Sequence, residues 1–225
     1  MDEAGFAEAF DRWVETTGPK CYESLLGPHL PPRVERALDV GCGPGYLALY
    51  LAGRADHVVG LDLSGAMTRL ARRKRDRVGV GNVSFVTGDV GAPPLRPASF
   101  DVVSSDTMLH DTEIEVTLPV LRSLVRPGGW VILRDVTTRH TGRSRSPLWQ
   151  LAGTIRQVPR YLRELGPRQT WSVLRFEASP TWVRHRAEGG ELTREEFRAA
   201  YSRVFPDCTF LDEPWAMTAI WRAPT

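Results

Sequence analysis

The chain has 225 residues, 42% of them hydrophobic and 25% charged, with a formal net charge of +2. This is the make-up of one globular domain, or of one domain with a cap, and it excludes collagen-like, low-complexity and disordered chains. No apolar run is long enough to span a bilayer, and the acidic, amphipathic start MDEAGFAEAFDRW does not read as a secretory leader.

Three cysteines, Cys21, Cys42 and Cys208, are scattered without metal-ligand spacing. No metal is therefore expected, and a reducing, cytoplasmic setting is the simplest. The small net charge hides an asymmetry. Between Arg134 and Arg186 stand 11 arginines against 3 acids, Asp135, Glu164 and Glu177, a surplus of +8 that leaves −6 for the remainder. A basic segment on an acidic body speaks about partners, not about fold.

In chain order, residues 2–16 put Phe6, Phe10, Trp13 and Val14 on one helical face. Pro19 opens a short helix to about Leu26, and Pro28, Pro31 and Pro32 link it to the first strand. Strands are predicted over 36–40, 57–62, 83–87, 100–104 and 130–135, with helices over 45–53, 65–76 and 113–125. Pro119 either kinks the last of these or marks a later start. Pro127-Gly128-Gly129 reads as a turn. Such alternation argues for a doubly wound α/β fold with a parallel sheet covered on both faces.

Residues 137–190 break the rhythm with Pro147, Pro159, Pro167 and Pro180 between helical stretches, too long a segment for a structureless loop. They read as a helical cap inserted before the last two strands. Thr193 and Glu196 form a capping box opening a helix to about Val204. Residues 208–211 and 215–221 are the final, hairpin-like strands. The predicted division is an N-terminal helical lid over 1–33, a core over 34–136 and 191–225, and a substrate cap over 137–190.

Residues 37–52, ALDVGCGPGYLALYLA, carry the strongest functional signal. An apolar strand runs into Gly41-Cys42-Gly43-Pro44-Gly45 and then into a helix. Glycines allow a tight reversal and a close approach of a ligand to the backbone. A dinucleotide fingerprint would require Gly where Tyr46 stands. Instead Asp39 precedes the glycines, which suits a cationic ligand. Asp62 ends the second strand, where a carboxylate can accept from both hydroxyls of a ribose. Asp89 follows the third strand.

This pattern resembles the class I S-adenosylmethionine-dependent methyltransferases of small-molecule type. The resemblance covers about residues 34–135 and resumes over about 192–223. It implies a seven-stranded sheet whose last strand is antiparallel. It also implies the cofactor S-adenosyl-L-methionine, released as S-adenosyl-L-homocysteine. The resemblance places Asp39 near the amino group, with Gly41, Cys42, Gly43 and Gly45 behind the ligand. It assigns the ribose to Asp62, with Leu63 beside the adenine. It gives the exocyclic amine to Asp89 and the ring to Val90, and sets Ser105 and His110 at the border of the cofactor. Asp101, at a strand start, reads as structural, and Cys42 as a packing residue.

For catalysis His110 is the first candidate base, because an imidazole with an ordinary pKa near 6.5 suits the task. His185, His140, Tyr22 and Asp106 are weaker candidates. Trp149, Trp171, Trp182, Tyr161 and Phe176 of the cap suit a planar acceptor or simply hold the cap in place. Its arginines suit an anionic acceptor or a solvated face. The basic run Arg69–Arg77 complements a helix C-terminus. No RNA-binding module or exposed stacking motif is recognisable, which argues against a nucleic-acid partner. The expected activity is methyl transfer to O, N or ring C of a small, aromatic, natural-product-type acceptor. RNA or protein methylation and a non-catalytic cofactor-binding module are the alternatives. No membrane partner is expected, and a homodimer is left open.

Overall fold

The computed structural model describes residues 2–17, 22–138 and 147–225. Helices α1 (Glu3–Thr17) and α2 (Tyr22–Leu25) precede β1 (Val34–Val40), α3 (Tyr46–Leu51), β2 (Ala55–Asp62) and α4 (Gly65–Val78). Then come β3 (Val83–Thr87), β4 (Phe100–Asp106), α5 (Ile114–Leu124) and β5 (Val125–Thr138). Between β5 and the last strands stand α6 (Pro147–Glu177) and α7 (Pro180–Glu188). The chain closes with β6 (Leu192–Thr193), α8 (Arg194–Val204), β7 (Thr209–Asp212) and β8 (Ala216–Arg222). Pro19, Cys21 and His140 lie outside the described residues, as does the side chain of Trp149.

Seven strands run in the order β3-β2-β1-β4-β5-β8-β7. The neighbours from β1 to β5 are parallel, and β8 is antiparallel to both β5 and β7. The mostly parallel sheet with an antiparallel last strand is thus present. An eighth strand was not anticipated: β6 pairs with Thr137 and Thr138 of β5, where the chain returning from α7 runs beside an overlong strand.

The core lies on both faces of the sheet, which is why the strands read as near-continuous apolar runs. Leu38 and Val40 pack with Leu118, Leu121 and Tyr201 on one face. Ala37 and Val102 pack with Leu47, Leu51 and Ala71 on the other.

Several strand ends extend past the sequence expectation, and two of them show why. β1 begins at Val34 because the amides of Glu35 and Arg36 donate to Asp101 Oδ2 at 3.0 and 2.8 Å. Asp101, which also pairs with Arg126, is structural as expected. β5 takes in Pro127-Gly128-Gly129, with Gly128 at φ 74° and its amide bonded to the carbonyls of Ala223 and Pro224. Pro119 lies inside α5 instead of starting it. The capping box on α8 is complete.

The basic run on α4 staples the fold. Arg72 donates to the Phe85 carbonyl at 2.6 Å and Arg75 to that of Val83 at 3.1 Å. Lys74 Nζ reaches Asp11 Oδ1 of α1 at 2.5 Å and sits 3.5 Å over the Tyr46 ring. The Tyr46 hydroxyl donates to the same carboxylate oxygen at 2.8 Å. Glu3 accepts from Ser64 Oγ at 2.6 Å, so α1 is fixed to α3 and α4 at its first residue and at its middle.

Helix α6 is broken at Gly166, φ 75° and ψ 169°. Before the break Leu151, Ile155 and Leu162 form one helical stripe, yet they are 47, 60 and 47% exposed. Among the described residues no helix is long and apolar enough to cross a membrane.

Candidate active site

A cavity of about 2200 Å³ opens at the carboxyl ends of β1, β2 and β4, with α1, α6 and α7 as its roof. Ligand pockets commonly run about 300–1,000 Å³, so this one has room for two molecules side by side. Its position beyond the strand ends, beside β1 where strand order reverses, is where open α/β sheets bind ligands.

The floor is built from the ends of β1 and β2 and the loop after β3. Gly43 has φ +48° and its amide donates to Asp62 Oδ2 at 2.7 Å. The other oxygen of Asp62 accepts from the Ser64 amide at 2.9 Å. One carboxylate therefore ties the glycine turn to the end of β2 while still facing the cavity. Burial raises its pKa, and the two amides oppose that.

Asp39, at the end of β1, is 1% exposed, and its Oδ2 has no hydrogen-bond partner among the described residues. Burial, then the charge of Asp106, hold its pKa well above the usual carboxylate range. Leu63 lines the cavity 75% exposed, an uncovered apolar side chain beside Asp62. Gly41, Cys42, Asp89 and Val90 line it as well. Cys42 is buried, and burial pushes its thiol pKa up, in keeping with a packing role.

Two expected contacts differ. Gly45 does not line the cavity: a Cβ there would lie 3.0 Å from both Ala71 Cβ and the Phe85 ring, so this glycine serves packing against α4 and β3. Ser105 is fully buried, its hydroxyl has no partner among the described residues, and it does not reach the cavity; Asp106 and Thr107 after it do.

On the far side His110 Nδ1 lies 2.7 Å from Asp135 Oδ1, which also accepts the Val136 amide at 2.9 Å. Asp111 Oδ2 lies 3.7 Å from His110 Nε2 and 3.5 Å from His185 Nε2. Burial alone would lower the His110 pKa. The hydrogen bond and charge of Asp135, then Asp111 and Glu191, overcome it and carry the pKa to about 9. The expectation of an imidazole near its ordinary value is corrected: at neutral pH this ring is an imidazolium.

Tyr22 lines the same cavity, hydrogen-bonded to Asp106, and burial with the charges of Asp106 and Asp39 raises its pKa. Asp106 is held by Arg134 at 2.7 Å. Arg134 also meets Glu213 through Nε and Nη2 at 2.8 and 2.9 Å, beneath the Trp215 ring. Among the described residues no group of three or more His, Cys, Asp or Glu side chains is placed to hold a metal ion.

A methyltransferase-domain family model matches residues 37–129. A ubiquinone biosynthesis O-methyltransferase of Thiobacillus denitrificans is 30% identical over 185 residues, covering 82% of this chain and 71% of that one. The chain belongs to the class I S-adenosylmethionine-dependent methyltransferases. An uncharacterized methyltransferase of Mycobacterium tuberculosis is 33% identical over 135 residues, which cover 60% of this chain and 66% of that one, slightly under two thirds of its length. Phosphoethanolamine N-methyltransferase 2 of Haemonchus contortus, solved with S-adenosyl-L-methionine, superposes with a TM-score of 0.71 over 100% of this chain and 58% of that one. At 14% identity it shares the fold.

The methyltransferase floor fits the family's cofactor. A buried carboxylate oxygen with no donor is costly, and an ammonium group at Asp39 Oδ2 would satisfy it. Residues that line or brace the site include some that sequence reasoning did not assign to it. Asp135 gave a signal in its place at a strand end. Glu213 and Glu177 gave none, because their partners come from distant parts of the chain.

Proposed function

We propose that this protein transfers the methyl group of S-adenosyl-L-methionine to O, N or ring C of a small aromatic acceptor held between the floor and the roof helices. The observation that carries the reading is the buried Asp39 carboxylate, whose Oδ2 has no hydrogen-bond partner among the described residues, on the floor of a cavity large enough for two ligands. When bound, the cofactor supplies a methyl on a positively charged sulfur, a leaving group that needs no further activation.

In this reading Asp39 receives the amino group, and the backbone of Gly41–Gly43 lies behind the amino-acid end. Each Asp62 oxygen already accepts one amide and keeps a lone pair for a ribose hydroxyl. Leu63 and Val90 cover the adenine, and Asp89 accepts from its amine. The unit 137–190 is the acceptor-selecting cap and α1 the lid, supported by the aromatic rings Phe10, Trp13 and Trp182 that both elements turn to the cavity.

His110 is the base. Asp135 accepts from Nδ1, which leaves Nε2 to take the acceptor's proton. A pKa of about 9 means that this base is mostly loaded with a proton at neutral pH, so kcat/KM rises with pH toward about 9. Alignment of nucleophile, methyl and sulfur supplies the remainder.

The test uses methyl-labelled S-adenosylmethionine, the purified protein and an extract of its host separated by size. Label in the small-molecule fraction is the expected result. Label in RNA or protein would replace the small acceptor, and label in no fraction would favour a non-catalytic binding module.

A further inference from the structure

The aromatic part of the roof surrounds a carboxylate that lacks a cation among the described residues. Glu177, at the end of α6, accepts hydrogen bonds at Oε1 from Trp13 Nε1 and from the Tyr161 hydroxyl, both at 3.1 Å. Neither donor is charged. Among the described residues no Lys, Arg or His pairs with Glu177, and its second oxygen takes no hydrogen bond. Arg160 and Arg186, which act electrostatically on Tyr161, carry their own counter-ions: Glu164 at 3.0 Å and Glu191 at 3.2 Å. Arg156 lines the cavity without an ion partner among the described residues, and it does not reach Glu177.

Three aromatic rings complete the recess. The ring centroid of Trp13 lies 5.8 Å from Phe10 and 5.1 Å from Trp182, and Phe10 and Trp182 are 5.9 Å apart. These rings, Tyr161 and Glu177 all line the cavity. Aromatic faces are electronegative, and a carboxylate fixed by neutral donors keeps its full charge. Such a recess attracts a cation and repels an anion.

We propose that this recess binds the ammonium group of the acceptor, so that the acceptor is a small amine protonated at neutral pH. The proposal rests on the methyltransferase reading only in taking the molecule that carries this ammonium to be the methyl acceptor; the ammonium nitrogen, which has no lone pair, is its anchor, and the methyl goes to another atom of the same molecule. The same contacts also clasp α1 to α6, and Glu177→Gln separates the two roles. The amide oxygen still accepts from Trp13 and Tyr161, while the charge is gone.

Phenethylammonium, its neutral isostere 2-phenylethanol and the anion phenylacetate are titrated by calorimetry into the protein, both cofactor-free and saturated with S-adenosyl-L-homocysteine. Phenethylammonium should bind at least tenfold more tightly than the other two. Glu177→Gln should weaken it at least tenfold and leave 2-phenylethanol within twofold. Equal or tighter binding of the alcohol or of phenylacetate overturns the proposal. So does an unchanged amine affinity in Glu177→Gln, or no amine binding in either form. Failure of S-adenosyl-L-homocysteine to bind while the amine still binds would strike the methyltransferase reading and leave the ammonium site standing.

Discussion

The floor and the roof of the cavity are made by different rules. The floor consists of strand ends and the turns that follow them, so each of Asp39, Asp62 and Asp89 is placed by its own few residues. The roof consists of helices from opposite ends of the chain, held by pairs such as Trp13 with Glu177, 164 residues apart. The floor also carries its polar groups in bonds to the backbone, whereas the roof carries them between side chains. A backbone-anchored site suits a ligand common to a whole family. A side-chain-anchored one can change from protein to protein without disturbing the sheet.

The largest effect should come from the junction of the two regions. His110→Ala should lower single-turnover rates about 10²- to 10⁴-fold, with S-adenosyl-L-homocysteine affinity nearly unchanged. Rates at the unaltered level would remove His110 from the chemistry. Lys74→Met tests the roof's attachment. It leaves Asp11 without its cation in a largely buried pair, at a cost of about 3 kcal/mol. Amide exchange should then accelerate in α1 while the sheet stays protected; equal acceleration in both would mean that roof and floor are one cooperative unit.

Asp135→Asn should be sensitive to pH in a definite direction. The raised His110 pKa contributes stability that is fully present below about 6.5 and is lost as pH rises through about 9. Chemical denaturation should therefore show a loss of about 2 kcal/mol at pH 6 and little change at pH 10. The alkaline rise of kcat/KM should move to lower pH. Asp39→Asn should act on the floor with opposite signs. The cofactor-free protein gains stability, about 1 kcal/mol, because a carboxylate that burial and the charge of Asp106 disfavour in its charged form is replaced by a neutral amide. Affinity for S-adenosyl-L-homocysteine should fall at least tenfold. Smallest and remote from both regions, Thr193→Ala should cost about 1 kcal/mol through loss of the α8 cap and leave ligand binding alone.

The same contrast explains what could be read in advance. Strand and helix alternation, the glycine turn and the capping box are local patterns, and all are present in the structure. The outlying strand ends were missed because side chains or distant carbonyls complete them, as Asp101 does for β1. Gly45 looked like part of the ligand-facing turn, but which way a glycine's missing side chain would point depends on Ala71 and Phe85. In α6 periodicity identifies a stripe but not its direction. Leu151, Ile155 and Leu162 face outward, and Arg156, Arg160 and Tyr161 face the cavity. The His110 pKa was misjudged because Asp135 and Glu191 enter from other elements.

The central claim, that the floor is a cofactor site for an S-adenosyl group, is tested most directly by calorimetric titration of S-adenosyl-L-homocysteine and, separately, NADH into the unaltered protein and Asp62→Ala. The account predicts one S-adenosyl-L-homocysteine per chain, an affinity lowered at least tenfold in Asp62→Ala, and no heat from NADH. Binding of NADH without S-adenosyl-L-homocysteine, or an affinity untouched by Asp62→Ala, would contradict it.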